Sequence, residues 1–304
     1  MSRPLGGYIG FNRAPAASAI NSAAVGMWTL RQAEALKRAG TWPSSASPTS
    51  IAGLQLWLDA SDAGSLFDAT TGGSLVAADG AVARWEDKSG NARHATQATS
   101  GNRAVRKASV INGLDGIYFN GSSATNFECT ISGLRDYTSL TMFCVIKPVA
   151  AAQADATTCV AFRYSLAGYP PTGNDELALG FSTGALDGET ITLFCPPGAG
   201  RLGSSAYSRA ANTTSAFSLR TGASGTAFRV NGNDITINLT SDSTSAANIS
   251  PASATTKTTD LFLIGSTGVT PAETYCELII YNSALSDANR SAVESYLMSK
   301  WGIT

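Results

Sequence analysis

The chain has 304 residues and a formal net charge of −1, and charged residues make up only 14% of it. Without a basic excess or a run of Lys and Arg, it has no field that would attract nucleic acid or an anionic membrane. It also lacks an apolar stretch long enough for a transmembrane helix and the hydrophobic segment of a signal peptide, so we expect neither nucleic acid nor membrane among its partners.

The cysteine pattern argues against a disulfide framework and against a zinc site. The number of cysteines is odd, they are widely spaced without a C-x-x-C pair, and most have apolar neighbours. We therefore expect buried free thiols in a protein that folds in a reducing cytosol. Zinc would need thiols or imidazoles paired at short spacing, and the chain has a single histidine. The cysteines are Cys129, Cys144, Cys159, Cys195 and Cys276.

The first 50 residues are predicted to form an arm that is distinct from the domain at 51–304. Glycines and prolines make its beginning irregular, whereas "MWTLRQAEALKRAGTWP" predicts one short helix. The Ser/Pro-rich segment "SSASPTS" is typical of a linker and ends the arm. The helix either docks on its own domain or anchors the protein to another chain. The sequence supports both interpretations equally. For the second, aromatic side chains are suited to an interface because they dominate interface energetics; the predicted partner-binding residues are Tyr8, Phe11, Trp28 and Trp42.

From residue 51 onward, the pattern predicts an all-β sandwich. Short runs of alternating apolar and polar residues are separated by Gly and Asn turn signals about every ten residues. "SLTMFCVIKP" is a near-continuous apolar run that ends at a proline. The clearest hairpin is "FRVNGNDITI", in which two alternating runs meet across Asn231, Gly232 and Asn233.

The end of the chain breaks this pattern, and "ALSDANRSAVESYLMSKWG" predicts a C-terminal helix. Ser286 is a strong N-cap, Asp287 lies in the first turn, where the helix dipole favours an acid, and Gly302 stops the helix. Lys300 lies in the last turn. The predicted apolar face consists of Val293, Tyr296, Leu297 and Trp301.

The stretch "RWEDKSGNARHATQ" contains the only histidine and is either a reactive cluster or a turn. The adjacent acids Glu86 and Asp87 would point to opposite faces of a strand. The Ser-Gly-Asn that follows is a turn signal. We interpret the stretch as a turn in which Trp85 packs inward, Asp87 caps the turn and His94 begins the return strand.

Six stretches follow one another in a recognisable order: "GLQLWLDASD", "WEDKSGNARHATQ", "GIYFNGSS", "SLTMFCVIKP", "FRVNG" and "CELIIYNSALSDANR". In their order and spacing they resemble the concanavalin A-like, laminin-G-type jelly-roll domains. The resemblance covers residues 51–304. It implies an all-β, concanavalin A-like β-sandwich (jelly roll) with a C-terminal helix, preceded by the arm with its one short helix.

The arm carries a second resemblance. Its pattern of G-x-W-x-L, an amphipathic helix and G-x-W-P resembles a segment that recurs in the structural proteins of tailed bacteriophages. This implies a virion protein that is made in the cytoplasm of the bacterial host and displayed on the capsid or tail. Its arm would bind other virion subunits, and we expect a closed homo-oligomer, with a trimer favoured. The alternative is a carbohydrate-binding receptor-recognition module of a tail or head fibre, and a polysaccharide depolymerase is a third interpretation.

The sequence gives no support for catalysis, so we assign no catalytic residue and expect no enzyme. The glucanases of the superfamily carry E-x-D-x-E on one strand, which turns two carboxylates toward the sugar. Here the acids of "NDELAL" and "WEDKSG" are adjacent instead. A Ser-His-Asp triad is also not supported, because the one histidine lies in a predicted turn and the G-x-S-x-G match in "GFSTG" is only superficial.

Two kinds of ligand remain open. Many laminin-G modules bind one Ca²⁺ through Asp and carbonyl oxygens, and the resemblance makes Asp87 and Asp59 candidate ligands, although each carboxylate can instead cap a turn. No other cofactor is expected. A host-surface glycan is the second possibility, because loop tyrosines can stack on sugars; they can equally seal loops or contact sister subunits. The candidates are Tyr164, Tyr169 and Tyr207.

Overall fold

The computed structural model describes residues 47–121, 125–149, 157–163, 176–181, 191–194, 201–204, 210–236, 238–239, 260–265 and 272–304. The predicted arm helix lies outside these residues. The described strands are, in chain order, β1 (Leu54–Asp59), β2 (Leu66–Phe67), β3 (Arg84–Trp85), β4 (Ala95–Thr96), β5 (Val105–Ile111), β6 (Leu114–Asn120), β7 (Asn126–Thr130), β8 (Leu140–Pro148), β9 (Thr157–Arg163), β10 (Glu176–Phe181), β11 (Ile191–Phe194), β12 (Arg201–Ser204), β13 (Ser215–Gly222), β14 (Gly225–Val230), β15 (Asn233–Ile235), β16 (Asn238–Leu239), β17 (Leu261–Gly265) and β18 (Ala272–Tyr281). They are followed by one α-helix, α1 (Asp287–Trp301).

The strands form two antiparallel sheets that pack face to face. Sheet 1 has the order β15-β14-β13-β8-β18-β6-β5, and β1 pairs with β18 beside β6. Sheet 2 has the order β16-β12-β11-β10-β9-β17-β7-β4-β3-β2. Neighbours in each sheet are often far apart in sequence, as β1 and β18 are. The predicted all-β sandwich with a C-terminal helix is confirmed.

Sheet 1 is buried on both faces, which explains why its central strand reads as a continuous apolar run. In β8, Met142 and Cys144 belong to the core between the sheets, whereas Phe143 and Val145 belong to a second core under α1. A strand that is covered on both faces cannot alternate between apolar and polar residues. The core between the sheets also contains Trp85, which is fully buried as predicted.

A β-bulge at Cys276 decides which side chains of β18 face the helix. The register between β18 and β8 shifts between Tyr275 and Glu277. Tyr275 and Leu278 face the core between the sheets, whereas Cys276 belongs to the core under α1. Glu277 bonds to side chains of the helix, so two consecutive residues face the same side. Regular alternation would have placed this carboxylate between the sheets, and the bulge turns it toward the helix.

Helix α1 forms as the sequence predicts and covers the outer face of sheet 1. The Ser286 hydroxyl accepts a hydrogen bond from the N–H of Asn289 (3.3 Å), and Gly302 ends the helix with a φ of 65°. Three residues of the predicted apolar face are buried and pack on the sheet, while the fourth, Tyr296, is half-buried. The buried three are Val293, Leu297 and Trp301.

The predicted hairpin between β14 and β15 is present, with a tighter turn than expected. Val230 pairs with Asn233, so only Asn231 and Gly232 form the turn. Their φ angles of 50° and 75° are both positive, as a two-residue type I′ turn requires. The third predicted turn residue, Asn233, already belongs to β15, because the two-residue turn fits the twist of the paired strands.

The described fold begins before residue 51. Pro48 and Ile51 are buried, and the Tyr281 hydroxyl donates to the carbonyl of Pro48 (2.9 Å). The end of the predicted linker therefore packs against sheet 1. As predicted, the three cysteines with described side chains are buried and form no disulfide; they are Cys129, Cys144 and Cys276. Within the described part, no helix has the length and hydropathy to cross a bilayer.

Candidate functional site

The residues predicted to bind partners or glycans lie outside the described part of the chain. This applies to the aromatic residues of the arm and to the loop tyrosines, so their roles stay predictions. The residues are Tyr8, Phe11, Trp28, Trp42, Tyr164, Tyr169 and Tyr207. The candidate site therefore consists of the described polar residues around β1.

The stretch with the only histidine forms a loop at 86–94 that covers the free edge of β1, and we call it the edge loop. Among the described strands, β1 pairs only with β18. Along its other edge, the N–H of Trp57 donates to Asp87 Oδ1 (2.9 Å). The side-chain amide of Asn91 donates to the carbonyl of Gln55 (3.2 Å). An uncovered edge invites pairing with another chain, and these loop contacts occupy it.

Asp87 holds the edge loop together through both carboxylate oxygens. Oδ1 accepts from the N–H groups of Trp57 and Ser89, at 2.9 and 2.8 Å. Oδ2 accepts from the Ser89 hydroxyl (2.7 Å) and the N–H of Arg93 (3.0 Å). The predicted turn cap is confirmed. His94 lies one residue before β4. Its Nδ1 accepts a hydrogen bond from the N–H of Asp87 (3.1 Å), so the imidazole stabilises this turn.

A group of three polar side chains, Gln55, Arg93 and Tyr137, lies beside the edge loop, and we call it the rim cluster. Gln55 Oε1 accepts from Arg93 Nη1 (2.6 Å) and from the Tyr137 hydroxyl (2.9 Å). All three side chains are half-buried. They come from β1, the edge loop and the segment between β7 and β8. The rim cluster therefore joins three segments near the surface, and the ring of Tyr137 packs partly against the core between the sheets.

A buried triad of Asp59, Glu277 and Lys300 lies under the last turn of α1. Lys300 Nζ is 2.7 Å from Asp59 Oδ1 and 2.8 Å from Glu277 Oε2. Lys88 Nζ contacts the other oxygen of Asp59 (2.9 Å) and lies 4.9 Å from the centre of the Trp57 ring. Asp59 is 4% exposed and Glu277 is fully buried. Two lysines thus neutralise two carboxylates that have almost no access to water.

Glu277 receives four hydrogen bonds from elements on both sides of it. Oε1 accepts from Trp57 Nε1 (2.7 Å) and the Tyr296 hydroxyl (2.9 Å). Oε2 accepts from Lys300 Nζ and Trp301 Nε1, each at 2.8 Å. Hydrogen bonds to both oxygens offset the free-energy cost of burying a carboxylate. These bonds fasten the end of α1 to β1 and β18.

The two carboxylates of the triad differ in their acidity. Burial raises the pKa of Glu277 above its ordinary value, and the negative charge of Asp59 adds to this effect. Burial also acts to raise the pKa of Asp59. The charge and hydrogen bond of Lys300, with the bonds from Ser61 and Lys88, outweigh it and hold this pKa below its ordinary value. Of the two carboxyl groups, Glu277 is therefore the weaker acid.

A second buried polar network fixes the first half of α1. The Arg290 guanidinium donates to the hydroxyl (2.9 Å) and carbonyl (2.8 Å) of Ser218 on β13 and lies 3.2 Å from Glu294. Arg229 of β14 is 3.3 Å from the other oxygen of Glu294. Burial lowers the pKa of Arg290 to about 10. The helix is therefore held by ionic contacts at both ends, with apolar packing between them.

Asp59 and Asp87 are the candidate calcium ligands, and in the structure both carboxylates lie against hydrogen-bond donors. Each oxygen of Asp87 accepts two hydrogen bonds, and Asp59 contacts two lysines. The described residues contain no group of three or more His, Cys, Asp or Glu side chains that could hold a metal. Calcium takes six to eight oxygen ligands. The calcium site stays a prediction, and a bound ion would have to displace these donors.

The triad is not predicted from the sequence, although the sequence contains one signal for it. "YCELIIYN" places an acid inside a strand that is otherwise apolar, which indicates a buried carboxylate in need of a partner. Lys300 was interpreted only as a favourable charge in the last turn of the helix. The strand register that brings Lys300 to Glu277 and Asp59 depends on a bulge and on long-range pairing, which a single sequence does not reveal.

Known proteins share a fold with this chain, but none of them shows which family it belongs to. No protein-family model matches the chain, and no curated protein matches it. Trypanosoma rangeli sialidase matches with a TM-score of 0.53 and 16% identity over 82% of this chain and 33% of the sialidase chain. Its complex with 2,3-difluoro-KDN matches with a TM-score of 0.52 and 15% identity. The receptor-binding domain of botulinum neurotoxin C/D mosaic serotype matches at 0.46 and 9% identity, over 81% of this chain and 52% of that chain.

These likenesses are at low identity and therefore concern the fold alone. The chain spans about one third of the length of the sialidase that it matches. What it shares with that sialidase is the overall fold of this part of the chain.

Proposed function

We propose that this chain is a glycan-binding β-sandwich that holds sugars without cleaving them. The observation that carries this proposal is the fold shared with Trypanosoma rangeli sialidase over 82% of the chain. Structures of that sialidase with a TM-score above 0.5 hold 2,3-difluorosialic acid or the inhibitor DANA. A sugar acid of this type is therefore the first ligand class to test.

The rim cluster is the described surface that suits such a ligand. Tyr137 offers an aromatic ring on which a sugar can stack, and Arg93 offers donors for a sugar hydroxyl or carboxylate. The loop tyrosines Tyr164, Tyr169 and Tyr207 remain the proposed stacking residues outside the described part. Because Gln55 holds both Arg93 and Tyr137 in place, the cluster is organised before a ligand arrives.

The surroundings of the acids support binding without catalysis. Glycosidases place two carboxylates on either side of the scissile bond, with room for the sugar between them. Asp59 and Glu277 instead share one lysine ammonium and are buried, so no sugar fits between them. Asp87 is engaged by four donors. This supports a role other than hydrolysis for the acids around β1.

A glycan array with the full chain tests the proposal. We expect binding to sialylated or other acidic glycans and a loss of at least tenfold for Tyr137→Ala, Arg93→Ala or a loop variant such as Tyr169→Ala. Tyr118→Ala is the matched control, because Tyr118 is a half-buried tyrosine of β6 outside the rim cluster. Absence of binding to any glycan would overturn the proposal, and release of reducing ends from a bound glycan would overturn its non-catalytic part.

The resemblance of the arm favours a place for this sandwich on a tailed-phage particle. In that setting, Tyr8, Phe11, Trp28 and Trp42 anchor the chain to capsid or tail subunits, and a trimer displays the sandwiches outward. Removal of residues 1–46 is expected to abolish incorporation into particles while glycan binding is retained. Normal incorporation of the shortened chain would overturn the anchoring role. Light scattering of the purified chain tests the trimer.

A further inference from the structure

In the triad, one lysine ammonium contacts two carboxylates at once, which an ordinary ion pair does not require. Asp59, Glu277 and Lys300 come from β1, β18 and α1, and Lys300 Nζ touches one oxygen of each carboxylate. Lys300 and Asp59 are separated by 241 residues in sequence. A nucleophilic nitrogen, a carboxyl carbon and a second carboxyl group that can carry a proton therefore lie within contact distance at the end of the helix.

The surroundings of the triad suit a condensation reaction, which releases one water molecule. Glu277 is fully buried and Asp59 nearly so, and the Lys300 side chain is 18% exposed. Trp57, Tyr296 and Trp301 surround Glu277 and donate hydrogen bonds to it. These aromatic rings keep bulk water away from the two carboxylates. Exclusion of water also protects an amide product from hydrolysis.

We propose that Lys300 Nζ and Asp59 Cγ form an intramolecular isopeptide bond, with Glu277 as the catalytic proton carrier. The ammonium of Lys300 gives a proton to Glu277, and the free amine attacks the carboxyl carbon of Asp59. A C–N bond forms and a C–O bond breaks. The departing oxygen takes this proton back from Glu277 and a second proton from the Lys300 nitrogen, so it leaves as water and the nitrogen becomes an amide N–H. An ammonium and a carboxylate are consumed and an amide and one water are produced, so atoms and charge balance and no oxidant is needed.

The neighbours of Asp59 assist this step. Lys88 Nζ lies 2.9 Å from Oδ2 and can stabilise the negative charge that develops on this oxygen in the tetrahedral intermediate. The Ser61 N–H and hydroxyl donate to Oδ1, which orients the carboxyl group. Burial also raises the pKa of Glu277, which suits a group that must take up a proton and return it.

The chain contains a matched pair that lacks these features. Lys107 Nζ lies 2.6 Å from Asp79 Oδ1, as close as the triad pair, but the two side chains are 39% and 73% exposed. This pair lies at the surface, with neither the burial nor the aromatic neighbours of the triad. It is therefore expected to remain an ordinary ion pair, and it serves as the internal control.

Intact mass measurement of the folded full chain tests the proposal directly. We expect a mass one water below the sequence mass, and a branched peptide after digestion that joins the segment around Asp59 to the segment around Lys300. The peptide map is needed because an Asp-Gly succinimide, for example at Asp79–Gly80, also loses one water. A folded chain that keeps its full sequence mass after prolonged incubation at neutral and mildly acidic pH would overturn the proposal.

Three variants assign the roles within the triad. Lys300→Arg and Asp59→Ala are expected to restore the full mass, and Glu277→Gln is expected to slow bond formation at least tenfold. Lys107→Arg should lose one water as the unaltered chain does. Circular dichroism checks that each variant is folded, and the measurement on the unaltered chain decides the matter if a variant does not fold. A branched peptide that joins other residues, or one that persists in Lys300→Arg, would contradict the assignment.

Discussion

The Asp87 side chain shows how one residue can support a whole surface. Its carboxylate accepts from Trp57 on β1 and from Ser89 and Arg93 in the edge loop. The backbone N–H of Asp87 in turn donates to His94. A carboxylate that satisfies three backbone N–H groups replaces the hydrogen bonds that a neighbouring strand would make. The edge loop is therefore structural, and its histidine belongs to the same turn.

Replacement of Asp87 by Ala is expected to lower the free energy of unfolding by about 2–4 kcal/mol, because it leaves half-buried N–H groups unpaired. Asp234→Ala is the control, since it removes one exposed ion pair with Arg229 and should cost less than about 1 kcal/mol. Urea unfolding measures both. Equal losses in the two variants would mean that the hydrogen bonds of Asp87 contribute little.

Asp87 also allows a test of whether the protein binds calcium. Because the oxygens of Asp87 already accept four hydrogen bonds, we expect the melting temperature to stay the same in excess calcium and in chelator. Differential scanning fluorimetry at several calcium concentrations measures this. A melting temperature that rises with calcium and loses this dependence in Asp87→Ala would establish the ion site that the sequence resemblance suggested.

The buried thiols should be chemically inert in the folded protein. Burial raises the pKa of Cys129 to about 12 and that of Cys276 well above its ordinary value. Because the thiolate is the reactive form, alkylation at pH 8 should leave Cys129, Cys144 and Cys276 unlabelled until the protein is denatured. Peptide mass mapping before and after denaturation measures this. Rapid labelling of Cys129 in the native protein would contradict it.

At the scale of elements, the hairpin between β14 and β15 depends on one glycine. Gly232 has a φ of 75°, and a Cβ added there would meet only Met298 Sδ at 3.7 Å. Gly232→Ala is therefore expected to cost about 1–2 kcal/mol through backbone strain alone. Gly101, in open space and without positive φ, is the control, and its change to Ala should not destabilise the protein. If both variants unfold at the same urea concentration, the turn assignment is wrong.

The elements that the sequence predicted are those whose signals are local. Asn231–Gly232 and the caps of α1 at Ser286 and Gly302 act within a few residues, so propensity and spacing were sufficient. The position of Glu277 was not predictable, because it depends on a bulge and on pairing between β1 and β18, which are distant in sequence. For the same reason, Lys300 was interpreted from its place in the helix, and its contacts across the fold were missed.

At the scale of the molecule, sheet 1 is the central layer. One face packs on sheet 2 through an apolar core, and the other is covered by α1 through a second core. Ionic networks at the two ends of α1 fix its position, because apolar packing alone does not specify a register. This arrangement occupies the outer face of sheet 1.

The N-terminal boundary of the fold gives a prediction for the whole molecule. Pro48 and Ile51 are buried against sheet 1, and Tyr281 donates to the carbonyl of Pro48. A chain that begins at residue 47 should therefore be as stable as the full chain. A chain that begins at residue 53 should lose about 2–4 kcal/mol, because it loses the burial of both side chains and leaves the Tyr281 hydroxyl without its acceptor. Urea unfolding of the two truncated chains and the full chain measures the difference. Equal stability of both truncated chains would place the boundary after residue 52, and a loss already on removal of residues 1–46 would show that the arm belongs to the folded domain.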